Sequence, residues 1–209
     1  MAELGLQRFQ LARTPNENLA KWDELLAQRP VAGLCGSDAH ANVLVDRWSL
    51  ARFPSYLSVF SLARQHVLLP DQPGQNPDQA GADTILAAIK SGNSFCAIDA
   101  ISPADGFMQT VSSGSSIVAG PGNQIAWSSS DVLHVKVPAT TSPALIRVLR
   151  DGHEIAEREG QSIDLPLPGP GRYRTEAYLH QPGLTGWHRW TLWIFANPVY
   201  VTESQTPPR

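Results

Sequence analysis

From Pro103 onward the chain breaks into short alternating runs separated by Gly, Pro, Ser and Asp-Gly at strand-and-turn spacing, with no sustained helical period. That texture restricts this half to packed antiparallel β structure. The clearest hairpin joins Leu145–Arg150 to His153–Ile155 through Asp151-Gly152, a pair that tolerates the positive φ angles of a type I′ turn. Pro168-Gly169-Pro170-Gly171 marks a second turn. Tyr173–Leu179 alternates small or apolar with charged positions, as a half-exposed strand would. Trp190–Val201 supplies the last strands, with a bend at Asn197-Pro198, and residues 202–209 read as a frayed tail.

The first half reads differently. Thr14-Pro15-Asn16-Glu17 has the layout of a capping box, and Leu19, Trp22, Leu25 and Leu26 then fall at helical spacing on one face. Arg29-Pro30 closes that helix before an apolar run, Val31–Leu34, expected to be a buried strand. A helical period over 54–69 stops at Pro70. A further helix runs from Asp83 or Thr84 to Gly92, followed by a strand over Ser94–Ile98. The reading is therefore an α/β segment over 1–103 packed directly against a β-sandwich-like segment over 104–201. No internal repeat is evident.

Chemistry concentrates in Cys35-Gly36-Ser37-Asp38-Ala39-His40, just past the apolar run. In extended backbone, residues two apart share a side, so Asp38 and His40 would aim a carboxylate and an imidazole at one point, a pair that suits a divalent cation. The other reading is that Ser37 or Asp38 caps a helix starting near Ala39. Either way, two ligands fall short of the three or more that a protein metal site normally supplies.

The 209 residues are 42% hydrophobic, enough for one or two cores, and a net charge of −3 without a dense basic cluster argues against nucleic-acid or anionic-membrane partners. The N-terminal residues lack a secretion-signal layout, and the cytoplasm is the default expectation. Cys35 and Cys96, without basic neighbours in sequence, read as two buried structural cysteines rather than a disulfide framework.

Several segments together resemble the C-terminal half of carbaryl-hydrolase-like proteins of the PHP (polymerase and histidinol phosphatase) superfamily. They are Thr14-Pro15-Asn16-Glu17, Lys21-Trp22-Asp23, Gly36–His40, Phe53-Pro54-Ser55-Tyr56, His66–Leu69, Ile85–Lys90 with Ser91-Gly92, and Trp193–Val201. The resemblance implies the last part of a distorted β/α barrel followed by a β-sandwich-like domain. It also implies a metal-dependent hydrolase of phosphoester or other ester bonds that uses Zn, Mn or Fe, with Asp38 and His40 as the metal ligands that carry over. The superfamily's earlier His-x-His pair has no counterpart, because no histidine precedes His40. The expectation is a C-terminal portion, weak or silent alone, whose incomplete barrel leaves faces that a homo-oligomer would cover. His66, His134, His153, His180 and His188 match no ligand motif. The rival reading is a β-sandwich binding or interaction module without catalysis. Trp187, Trp190 and Trp193 favour it slightly as a stacking platform, although Trp190 and Trp193 sit in an apolar run that reads as core.

Overall fold

The computed structural model describes residues 16–37, 43–44, 50–51, 56–69, 81–182 and 188–204. The elements in chain order are α1 (Asn16–Leu26), β1 (Val43–Leu44), β2 (Leu50–Ala51), α2 (Tyr56–Phe60), β3 (Arg64–Val67), α3 (Ala82–Ser91), β4 (Ser94–Ala97), β5 (Met108–Ser113), β6 (Ser116–Ala119) and β7 (Gln124–Ala126). They continue with β8 (Asp131–Lys136), β9 (Ala144–Arg150), β10 (His153–Glu159), β11 (Ser162–Pro166), β12 (Gly171–Pro182), β13 (His188–Ala196) and β14 (Val199–Thr202).

Two sheets face each other. The larger runs β10-β9-β12-β13-β4-β3, with β14 paired to β12 and to β7, and the smaller runs β11-β8-β5-β6. Alternation along the strands fills the space between them. Val111, Leu133, Val135 and Ile163 from the small sheet meet Ile146, Val148, Tyr173, Ala177, Leu179 and Trp193 from the large one. Trp193 is fully buried, and its indole N–H donates to the Ser102 carbonyl at 2.7 Å, which satisfies the one polar atom that its burial strands. The intervening residues of the large sheet point the other way. There Leu145, Tyr178 and Leu192 form a second core with Leu19, Trp22 and Leu26 of α1, so the helix roofs the outer face of the large sheet. The order from top to bottom is helix, large sheet, small sheet.

The hairpin at Asp151-Gly152 forms as the sequence indicates, with φ of 53° and 82° and Arg150 paired to His153. α3 ends at Gly92 in the left-handed conformation, where the cap N–H reaches the carbonyls of Ala88 and Ile89. The bend at Asn197-Pro198 separates β13 from β14.

The β/α barrel is not formed. A barrel needs parallel strands joined by crossover helices, yet β3 and β4, on either side of α3, pair antiparallel, and β4 pairs antiparallel with β13. The parallel pair among the described residues is β14 with β7. Apart from a separate two-stranded ladder of β1 and β2, this is a β-rich fold of two sheets, in which β3 and β4 from the first half extend the large sheet built by the second.

Three local expectations also give way. Val31–Leu34 is irregular and Leu34 is exposed. Of the helix expected over 54–69, the described part keeps one short turn at α2. Arg64–Val67 extends instead, because β4 offers it a ladder partner whose hydrogen bonds outweigh a moderate helical period. Cys35 and Cys96, 61 residues apart, are joined in a disulfide with their Cα atoms 5.9 Å apart.

Candidate functional site

Asp38 and His40 lie outside the described residues. What is described is the stalk that leads to them, residues 31–37, and it is held by side chains in place of a partner strand. The indole N–H of Trp22 donates to the Val31 carbonyl at 2.9 Å. Asn197, itself buried, accepts from the Gly33 N–H at 2.6 Å and donates from Nδ2 to the Gly33 and Ser94 carbonyls. A side-chain amide thus does for Gly33 what a neighbouring strand would. Gly33 lies flat against Trp22, where a Cβ would come within 2.5 Å of the ring, so glycine is required for this approach. The Gln65 carboxamide accepts from the Cys35 N–H at 3.2 Å and donates to Ser94 Oγ at 2.8 Å, and the disulfide fixes the end of the stalk to β4.

Among the described residues no group of three or more His, Cys, Asp or Glu side chains could hold a metal ion. The two ligands that the resemblance implies, Asp38 and His40, lie outside that set. His66 stacks on Phe95 with ring centroids 4.6 Å apart and meets Asp99 at 3.1 Å, and Asp99 also accepts from the Ala104 N–H. His180 packs against Trp190. Trp190 is half-buried beside the second core, Trp193 is inside the first, and Trp187 lies outside the described residues.

Two polar constellations that single-sequence reading did not bring together are well defined. The first lies beneath α1. Arg174, expected on the exposed side of its strand, is buried and spans two carboxylates: Nε donates to Asp23 of α1 at 2.7 Å, and its terminal nitrogens donate to Asp23 and Glu176. Tyr178 donates its hydroxyl to the other oxygen of Glu176. Burial by itself disfavours the charged form of Arg174, but the hydrogen bonds and charges of Asp23 and Glu176 more than offset it and hold the pKa of Arg174 above its ordinary value. Burial raises the pKa of Tyr178 strongly, and the charge of Glu176 adds to the shift. A cleft of about 490 Å³ opens beside these groups, bordered by Asp23, Arg147, Asp151 and Glu176.

The second lies on the outer face of the small sheet. His134 on β8 stands directly opposite Thr110 of β5 and Asp164 of β11, and Ser112 is the diagonal neighbour. Asp164 Oδ1 and His134 Nδ1 are 2.7 Å apart, and Ser112 Oγ and His134 Nε2 are 2.8 Å apart. An ionised carboxylate accepts only, so Nδ1 carries the proton, and in the neutral ring Nε2 is left as the acceptor of the Ser112 hydroxyl. The chain has serine, imidazole and carboxylate in series. The signal in sequence was weak: His134 and Asp164 each occupy a polar position in an alternating run, Val132–Lys136 and Ser162–Leu165, with nothing local to pair them.

No protein-family model, no curated protein and no solved structure matches the chain.

Proposed function

We propose that the chain is an interaction module: a β-sandwich that supports and docks against the metal-bearing body of a PHP-type hydrolase of phosphoesters or related esters, without a complete metal site of its own. One observation carries the reading. The elements beside edge strand β3 cluster exposed large apolar side chains, with Leu57 81% and Phe60 60% accessible, and Tyr56, Leu86 and Leu34 also exposed. Val59 and Ala88, the buried apolar residues of α2 and α3, belong to neither core. The described stalk, residues 31–37, is tied to β4 by the Cys35–Cys96 disulfide and to β3 by the hydrogen bond from the Cys35 N–H to Gln65, which supports placing the partner body there.

The Cys35–Cys96 bridge favours an oxidising compartment over the cytoplasm expected by default, since such bonds are rare where thiols are kept reduced. No helix among the described residues is long and apolar enough to cross a membrane.

The test has two arms. Hydrolysis of bis(p-nitrophenyl) phosphate by the chain with added Mn²⁺ or Zn²⁺ is expected to stay at the rate of metal alone. Turnover abolished by Asp38→Ala would show a competent metal site and overturn the reading. Leu57→Ser and Phe60→Ser are expected to change unfolding free energy by less than about 0.5 kcal/mol, as surface substitutions do, while lowering binding of an apolar dye. A loss above about 2 kcal/mol would mark them as core and remove the docking surface.

A further inference from the structure

From the arrangement of Ser112, His134 and Asp164 we infer a second, metal-independent site: an acyl-transfer centre on the outer face of the small sheet, with Ser112 as nucleophile and carboxylic esters bearing a small apolar acyl group as substrates. Three observations converge on it. Ser112 Oγ lies 2.8 Å from His134 Nε2 and His134 Nδ1 lies 2.7 Å from Asp164 Oδ1; with the carboxylate ionised and the ring neutral these contacts run from hydroxyl to imidazole to carboxylate, the order that lets an imidazole take a proton from a hydroxyl while a carboxylate holds the ring's tautomer. The pairing of β5 with β6 shifts register between Val111 and Ser112, and such a bulge re-aims the side chain that it carries. The three residues also line one cleft of about 510 Å³, walled by Met108 and Ile117 and reached at its rim by Lys136. Ile117 is 70% and Met108 46% exposed, so an apolar wall faces solvent beside a polar relay. Cross-strand polar pairs alone would not call for that wall.

The reaction balances without a cofactor. Ser112 Oγ attacks the ester carbonyl carbon, and its proton passes to His134 Nε2. The bond to the alcohol oxygen breaks, and the alcohol departs with that proton. Water, deprotonated by the same nitrogen, then cleaves the acyl-serine to release the acid and restore the hydroxyl. Asp164, at 70% side-chain exposure, is a positioning residue that fixes the tautomer.

The experiment is labelling of the full chain with an alkyl fluorophosphonate, which phosphonylates an activated serine with loss of fluoride. One adduct is expected, mapped to the peptide containing Ser112 and absent in Ser112→Ala. His134→Gln is expected to slow labelling at least about 100-fold, the scale of a general base. Asp164→Asn should slow it too, whereas Asp164→Glu should restore part of the rate, which a merely structural partner would not do. His134 and Asp164 are exposed at 39% and 70% of their side chains, and Ser112, although buried at 9%, loses only a hydroxyl in Ser112→Ala, so the variants should keep the melting temperature of the parent within a few degrees. No adduct, an adduct that survives Ser112→Ala, or equal rates in His134→Gln would overturn the inference, leaving a structural polar ladder.

Discussion

The two outer faces of the sandwich begin from one pattern and end in opposite environments. On β12 the positions between core residues are Arg174, Glu176 and Tyr178; on β5, β8 and β11 they are Ser112, His134 and Asp164. α1 lies across the first set and nothing described lies across the second. Under the helix, charge has lost its water and must be matched, so Arg174 is shared between Asp23 and Glu176, with its guanidinium also over the Trp22 ring at 5.4 Å. On the open face the hydrogen-bonded pair of His134 and Asp164, with side chains 39% and 70% exposed, stays solvated and contributes at most about 1 kcal/mol. Similar polar side chains are locked together under the helix, and on the other face His134 and Asp164 meet solvent while Ser112 stays buried between its neighbours. What decides is the layer above them.

The sharpest way to break this contrast is Arg174→Leu. Removing the cation leaves Asp23 and Glu176 facing each other out of water, and the expected loss of unfolding free energy is about 3–5 kcal/mol by urea denaturation. Changing Asp23, Arg174 and Glu176 together to apolar residues of similar size should recover most of it, because the loss comes from stranded charge and not from missing volume. A single substitution costing under about 1 kcal/mol would mean that water reaches the network and that the two faces do not differ.

Next in size is the staple at the far end of the roof. Closing a loop of 61 residues restricts the unfolded chain, and Cys35→Ala with Cys96→Ala is expected to cost about 2–4 kcal/mol. The same change should free the stalk at 31–37 to proteases while the small sheet keeps its protection in hydrogen exchange. Two thiols titrating in the unfolded, unreduced protein would show that the bridge does not form.

What could be read in the sequence divides along the same line. The hairpin at Asp151-Gly152 and the end of α3 at Gly92 are set by residues adjacent in the chain, through backbone angles that few side chains accept. The strand Tyr173–Leu179 is legible, but alternation alone puts its charged positions on an exposed face, because the covering helix lies far earlier in the chain, as the Asp23 to Arg174 separation of 151 shows. The disulfide was missed for the same reason. Val31–Leu34 has the composition of a buried strand, yet Asn197 and Trp22 hold it as an irregular stalk. The barrel implied by the kinship drawn from local motifs does not form, because ladder direction is a property of partners. The relay of Ser112, His134 and Asp164 needs three strands in register, which no local pattern encodes.

The smallest expected effect sharpens the contrast through pH. Tyr178 is covered by α1, and its pKa lies above the ordinary tyrosine value because burial, and then the neighbouring charge of Glu176, disfavour the phenolate more than Arg147 and Arg174 favour it. In the unfolded chain the hydroxyl ionises near pH of about 10. The stabilisation from a raised pKa is therefore complete below that pH and is lost as pH climbs toward the folded value, since the unfolded state releases a proton that the native state retains. Unfolding free energy should fall between about pH 9.5 and 11.5, with tyrosinate absorbance lagging in the native protein. Burial raises the pKa of Tyr173 and Tyr200 as well, so Tyr178→Phe should flatten the fall without abolishing it. At neutral pH that variant should be less stable by about 1 kcal/mol, the worth of the hydrogen bond withdrawn from Glu176. If Tyr178→Phe declines as steeply as the parent, the hydroxyl is solvated and the roof over this face is not closed.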